Sequence, residues 1–275
     1  MTTIVLTGAS DGIGAAAARQ LASGGHRLLL VGRSPEKTRA VADETGAEYF
    51  TADFARLDDV RALAARLTEA VGDDGIDVLA NNAGGIFGDR TPTVDGHEKT
   101  IQVNHLAPFL LTHLLLPTLL ASGAAVINTS SVGHRLFGHI DVDDLDNTRK
   151  FSANKAYGDA KLANVLFTRS LHAKFHDEGL SAVAFHPGTV QTNFASDSSS
   201  IMRLVYRSFL GKLLLTSTDE GGAILRWFIE GTPDETWFSG AYYDERTLSS
   251  KVNPQADDPA LAEALWQRSA ELVGL

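Results

Sequence analysis

The 275-residue chain contains no cysteine. That excludes a disulfide framework and any thiolate metal site, and it leaves nothing that requires an oxidising compartment. A lysine- or arginine-rich block is also missing: 24 basic residues stand against 34 acidic ones, for a formal net charge of −10, which argues against a nucleic-acid partner. The N-terminal MTTIVLTGAS has no basic n-region and runs directly into a glycine-rich turn, so no signal peptide is expected and the expected location is cytoplasmic. Only Leu106 to Ile127 approaches the length of a membrane span, and Pro108, His113, Pro117 and Ser122-Gly123 interrupt it. A buried helix followed by a buried strand is the expectation there, with no transmembrane segment.

With 44% hydrophobic and 21% charged residues the composition is that of an ordinary globular protein. Short runs rich in Ile, Val and Leu alternate with longer helical patterns, the mark of β-α-β units and a parallel sheet. Six runs read as strands: Thr3 to Thr7, Arg27 to Val31, Ala47 to Thr51, Ile76 to Ala80, Ala124 to Thr129 and Ser181 to Phe185. Most are apolar on both faces, which suits a sheet covered by helices on each side. Gly14 to Ser23, Pro35 to Thr45, Asp58 to Val71, Glu98 to Leu120 and Ala153 to Phe175 carry helical spacing or alanine-rich composition. Two more helices are expected around Asp219 to Glu230 and Ala260 to Leu272, with a strand at Gly240 to Tyr243. The fold class expected is α/β: a doubly wound, mostly parallel, Rossmann-type sheet in a single domain, with a substrate lid inserted at about 191–215.

TGASDGIG follows the first strand and opens the first helix, placing glycines at Gly8, Gly12 and Gly14. Such a turn lets backbone approach a pyrophosphate while the helix N-terminus offers amide donors; the alternative is a plain structural turn. Its spacing is not that of G-x-G-x-x-G. Arg33, past the second strand, stands where an NAD site commonly places an acidic residue, and so favours the 2′-phosphate of NADP, with NAD the alternative and a merely solvated arginine the bland reading. Asp53, after the third strand, suits either the adenine amino group or a helix N-cap. NNAG, Asn81 to Gly84, puts amides where strand ends meet a ligand crevice, or simply makes a turn.

Tyr157 and Lys161 lie four apart in YGDAK and project from one helix face. A free phenol ionises near pH 10, so poising it about three units lower takes roughly 4 kcal/mol of preferential stabilisation, and a nearby ammonium acts with the right sign. Alone, this spacing would arise by chance about one time in seven. Its context is Thr129-Ser130-Ser131 at the C-terminal end of the fifth strand, where a serine can hold a substrate oxygen or merely satisfy a turn. Asn104, in the preceding helix, can accept or relay hydrogen bonds.

Together these segments resemble the short-chain dehydrogenase/reductase family: TGASDGIG, NNAG, Asn104 within VNH, the serine pair, YGDAK and the HPG of His186 to Gly188 stand in that family's order. The resemblance implies Tyr157 as general acid/base, Lys161 as phenolate stabiliser and ribose contact, Ser131 as the donor orienting a carbonyl, and Asn104 in a proton relay. It also implies cofactor contacts along the glycine loop at Ser10, Asp11 and Ile13, at Phe54 and Ala83, and at Pro187, Gly188, Val190 and Thr192. VNHLAPFLLTHLLLP, YGDAKLANVLFTRSL, HPGTVQT and LAEALWQRSAELVGL are similar to retinol dehydrogenases and their bacterial relatives. Asp11 departs from the pattern, since many NADP-preferring members carry a basic residue there. A homodimer or homotetramer is the assembly the resemblance implies.

The expected reaction interconverts an alcohol with a ketone or aldehyde. No metal is expected: His172 and His176 share the spacing of a zinc helix, but Ala173 stands where a metalloprotease needs glutamate. Ile201 to Leu215, with Arg203, Arg207 and Lys212 among apolar residues, reads as a lid over an apolar substrate, with an interfacial helix or an ordinary surface helix as alternatives. Two other functions are alternatives, an inactive dinucleotide-binding sensor or scaffold and a sugar-nucleotide epimerase or dehydratase; the intact Ser131, Tyr157 and Lys161 oppose the first, and the glycine spacing and the lack of a larger C-terminal substrate domain oppose the second.

Overall fold

The computed structural model describes residues 1–188 and 216–275. One eight-stranded sheet runs in the order β3-β2-β1-β4-β5-β6-β7-β8. The strands are β1 (Thr3–Thr7), β2 (Arg27–Gly32), β3 (Glu48–Thr51), β4 (Val78–Asn81), β5 (Ala125–Thr129), β6 (Ser181–His186), β7 (Tyr242–Asp244) and β8 (Thr247–Leu248). All pairings are parallel except β7 with β8. TIVLT, AVINT and SAVAFH are buried at every position, as expected of strands covered on both faces. Strand order reverses between β1 and β4, which puts a crevice at the C-terminal ends of these two strands.

On one face lie α1 (Gly12–Leu21), α2 (Pro35–Thr45) and α8 (Thr218–Glu230), sharing a core with Leu6, Leu30, Ile127 and Phe185. The alanine run Ala15 to Ala18 brings α1 and α8 into close contact: a Cβ added to Gly222 would come within 2.7 Å of the Ala16 side chain. The other face carries α3 (Leu57–Val71), α5 (Ala107–Ala121) and α7 (Ala153–Phe175), with α9 (Pro259–Val273) packed beyond them. Serine side chains start three of these helices, Ser34 accepting from the Lys37 amide, Ser152 from the Lys155 amide and Ser217 from the Glu220 amide. Pro35 and Pro259 occupy first-turn positions, where the missing N–H costs nothing.

Four expectations change. The single helix expected over Glu98 to Leu120 is three joined pieces: α4 (Lys99–Ile101), a π-helical turn (Gln102–Leu106) and α5. The Glu98 carboxylate caps the first piece by accepting from the Thr100 and Ile101 amides. The strand expected at Gly240 to Tyr243 begins two residues later, because Gly240 sits at φ +80°, outside extended geometry. The chain then returns as the antiparallel β8, which a two-residue strand cannot announce by pattern, and a short helix α6 (Gly133–Leu136) follows β5. Lys99–Ala121 as a whole is long and apolar enough to cross a membrane by length and composition, and most of it is buried, with Phe109, Leu110, Leu111, Leu115 and Leu119 in the core. The expected lid at 191–215, with Val190 and Thr192, lies outside the described residues.

Candidate active site

The loop after β1 and the loop after β4 meet at the switch point. Gly8, at φ +71°, faces the chain so closely that a Cβ would come within 2.8 Å of the Ala83 Cα. No L side chain fits there. Thr7 ties the two loops together: its hydroxyl donates to the Ala80 carbonyl and accepts from the Asn82 and Ala83 amides. Sequence reasoning missed Thr7, whose only signal was its place before Gly8. Asn82 adds a bond from its side-chain amide to the Thr7 carbonyl. Asn81 is buried, its amide donating to Thr112 and Asn128, so only its backbone faces the loop.

The glycine turn feeds α1, whose N-terminus the Asp11 side chain caps by accepting from the Gly12 amide. The other Asp11 oxygen pairs with Lys37 Nζ at 3.0 Å. That pairing sets a second cation, unforeseen from sequence, beside the turn. Ser10 packs against Gly32, and the Ala9 amide donates to the Val31 carbonyl, so the loop is fastened to the end of β2, next to exposed Arg33. Gly14 is buried, and Ile13 packs partly into the core beneath. Asp53 is half-buried and accepts from the Ala55 amide; Phe54 is buried, and its carbonyl accepts from Gln102. The residue capping α3 is Arg56 in position only, so Asp53 shapes a turn rather than an N-cap.

Helix α7 supplies the reaction residues. Lys161 is almost wholly buried, and Nζ donates to the Thr129 carbonyl at 3.1 Å. Burial, with no carboxylate to offset it, pushes its pKa down to about 7. The same nitrogen lies 5.6 Å from the centre of the Tyr157 ring. A Cβ on Gly84 would come within 3.3 Å of Lys161 Nζ and would also strike the Asn104 carboxamide, so glycine keeps this pocket open. Asn104, wholly buried in the π-turn, donates to the Gly85 and Thr100 carbonyls and accepts from the Gly85 amide. π-Turns recur at functional sites because the extra residue re-aims a side chain.

Beyond β5 the two serines part. Buried Ser130 donates to the Lys161 carbonyl at 2.8 Å, clasping α7 to the sheet. Half-buried Ser131 accepts from the Gly133 amide at 3.1 Å, and a Cβ on Gly133 would lie 3.1 Å from the Tyr157 ring and 3.4 Å from Ser131 Oγ. Ser131 and Tyr157 thus converge across Gly133, with Lys161 Nζ over the phenol ring and Gly84 and Asn104 gathered beside that nitrogen. At the end of β6, Pro187 and Gly188 are buried, and a Cβ on Gly188 would come within 3.0 Å of Thr216 and 3.1 Å of Glu245.

These residues suit a dinucleotide: a glycine turn at a helix N-terminus, two cations, Arg33 and Lys37, beside it, and a backbone free of side chain at Gly84 next to a buried lysine. Such a cofactor brings hydride chemistry, and the site supplies a phenol and a hydroxyl for the proton and the oxygen. Among the described residues no group of three or more metal-ligating side chains is gathered.

Residues 2–202 match the family model described as short chain dehydrogenase. A protein of Streptomyces sp. (strain C5), whose name proposes a daunorubicin C-13 ketoreductase, is 40% identical over 279 residues, covering 99% of this chain and 92% of its own. Human retinol dehydrogenase 13 is 36% identical over 284 residues, covering 99% and 85%. Among solved structures, one from Mycobacterium paratuberculosis superposes with a TM-score of 0.77 at 31% identity, covering 100% of this chain and 94% of that one.

Proposed function

The chain belongs to the short-chain dehydrogenase family, in its retinol dehydrogenase-like branch, as a nicotinamide-dependent oxidoreductase of CH–OH and carbonyl groups, and we propose that it uses NADP, with Tyr157 as general acid/base, on an apolar alcohol or carbonyl compound. The observation that carries this reading is the convergence of Ser131 and Tyr157 across Gly133, with Lys161 buried and its Nζ over the phenol ring. In reduction, Tyr157 gives its proton to the carbonyl oxygen while Ser131 holds that oxygen; in oxidation the phenolate takes the alcohol proton. NADPH bound at the glycine turn would supply the hydride. Lys161 favours the phenolate by charge, and Asn104 holds the Gly84–Gly85 backbone that borders it. Arg33 and Lys37 are the cations offered to a 2′-phosphate, and Asp11 is the anion that opposes it.

The same proposal includes a single domain, a lid at about 191–215, a cytoplasmic location and a homodimer or homotetramer. The relatives' names supply the first substrates for a panel, a retinoid aldehyde and a polycyclic ketone, followed by short and long apolar carbonyl compounds. NADPH consumption followed by absorbance, with Tyr157→Phe as control, tests the reading. The variant is expected to bind NADPH and lose at least a thousandfold in turnover; retained turnover would refute the role of Tyr157.

A further inference from the structure

The turn that carries Ser131 is fastened by a residue more than a hundred positions away, beyond the 2–202 stretch that matches the family model. Helix α6 is a single turn, Gly133–Leu136, and one turn of helix is marginal by itself. The bonds that fix Ser131 run into it. Ser131 Oγ accepts from the Gly133 amide at 3.1 Å, and the Ser131 carbonyl accepts from the His134 amide at 3.0 Å and from His134 Nδ1 at 2.6 Å. Gly133 is also the point at which Ser131 meets the Tyr157 ring, so the aim of the hydroxyl depends on where this turn sits.

Asn253 holds the turn from outside. Its side chain is buried, at 5% exposure, and its polar atoms are all engaged: Nδ2 donates to the His134 and Gly138 carbonyls, both at 2.8 Å, and Oδ1 accepts from the Gln255 amide at 2.9 Å. The last bond decides which end of the carboxamide faces α6. Gln255 grips the same loop further on, accepting from the Ile140 amide at 2.8 Å and donating to the Ile140 carbonyl at 3.0 Å. Asp159, two residues past Tyr157, accepts from the His139 amide at 2.7 Å, and the Tyr242 ring lies 4.6 Å from that of His134. The loop is thus pinned at His134, Gly138, His139 and Ile140. Capping of α6 would end at the His134 carbonyl; the two bonds from His134 back to Ser131 carry the constraint on to the hydroxyl beside the phenol.

We propose that Asn253 is a positioning residue for the proposed reaction, fixing through His134 the turn that aims the Ser131 hydroxyl at the substrate oxygen. Asparagine suits the place because it offers two donors and one acceptor at once. Alanine would orphan two carbonyls, and aspartate would turn an anion towards them. The inference rests on Ser131 and Tyr157 as the pair that handles the substrate oxygen.

The test is Asn253→Ala, made in the parent and in Ser131→Ala, with NADPH and a retinoid aldehyde. In the parent kcat/KM is expected to fall about tenfold or more, since small misplacements set off far from the reacting atoms carry losses of that order. NADPH affinity is expected to change less than about twofold, because the glycine turn belongs to other loops. In Ser131→Ala the same substitution is expected to change kcat/KM less than about twofold, the hydroxyl it positions being gone. Equal fold losses in the two backgrounds, or no loss in the parent, would overturn the proposal. Amide exchange decides where turnover is too slow to read: the Gly133 and His134 amides are expected to exchange about tenfold faster or more in Asn253→Ala, and the Ala9 amide, bonded to the Val31 carbonyl, at the parent rate. Unchanged exchange at Gly133 and His134 would equally defeat the idea. Asn253→Ser, whose hydroxyl can still accept from the Gln255 amide, replaces Asn253→Ala if that variant fails to fold. A protein whose two amides loosen as expected but which turns over no carbonyl compound would leave the hold of Asn253 on Ser131 standing and defeat the oxidoreductase reading, so the two failures are distinct.

Discussion

Lys161 Nζ donates to the Thr129 carbonyl at 3.1 Å, while Ser130, one residue on, donates its hydroxyl to the Lys161 carbonyl at 2.8 Å. Strand β5 and helix α7 thereby grip each other twice, and the grip sets the depth at which the lysine sits.

That depth has a measurable consequence. Lys161 ionises at about 7 in the folded protein but near 10.4 in an unfolded chain, so between these values the unfolded chain holds more protons and the stability contribution of this residue rises with pH. Below pH 7 the buried ammonium opposes folding. Lys161→Met, without cofactor, is expected to exceed the parent in stability at pH 6 and to lose that advantage steadily towards pH 10. Urea denaturation at pH 6, 8 and 10 measures it; parallel pH dependences in the two proteins would count against the buried-charge account.

Asn104→Ala removes both bonds to Gly85 and the one to Thr100 in a fully buried π-turn. Orphaning those backbone groups costs about 2–4 kcal/mol. Guanidinium unfolding should register this together with lower turnover, whereas a loss under about 1 kcal/mol would mean that the turn holds its shape unaided.

Cofactor choice is expected to respond to the Asp11–Lys37 pair. Both side chains are more than half exposed, so the pair itself contributes about 0–1 kcal/mol. Asp11→Ser frees Lys37 and should tighten NADPH binding several-fold without moving NADH; Arg33→Ala should weaken NADPH at least tenfold. Cofactor fluorescence titration decides the matter, and an Arg33→Ala protein with unchanged NADPH affinity would remove the phosphate role.

How much of this was legible in sequence depended on whether a residue's role was local. Strands β1 to β6 and α7 were readable because uninterrupted apolar runs and an alanine-rich helix are properties of contiguous residues, and α7 has the bounds expected of it. The glycine turn was readable for the same reason. Lys37 was not, since its pairing with Asp11 joins positions 26 apart across two elements. Nor was the division of labour between Ser130 and Ser131, which depends on where α7 lies over β5. The π-turn escaped because one extra residue in a helix leaves no mark on a stretch as short and mixed as QVNHL, Gln102 to Leu106. The contact between the His134 and Tyr242 rings joins positions more than a hundred residues apart, which only packing reveals.

Acid should act on His105. It is buried with Nε2 2.9 Å from Ser269 Oγ, and burial lowers its pKa to about 4. Between about 6.5 and 4 the unfolded chain takes up the proton first, so this residue's contribution falls as pH falls through that window. His105→Gln should lose less stability than the parent between pH 7 and pH 4.5, as measured by urea midpoints. Equal losses would show that another buried group, His186 foremost, governs the acid limb.

Gly188, at the end of β6, nearly touches Thr216, at the entrance to α8, with Glu245 also against Gly188. The chain between 188 and 216 therefore departs from and returns to a single point on the scaffold. A segment anchored in this way can be lengthened, shortened or exchanged at little cost to the sheet, because the entropic cost of loop closure grows only slowly with length. On the proposed reading of 191–215 as a lid, the scaffold is a fixed reaction bench with a replaceable fixture, and grafting the equivalent stretch from a relative is expected to change substrate preference while leaving the chemistry intact.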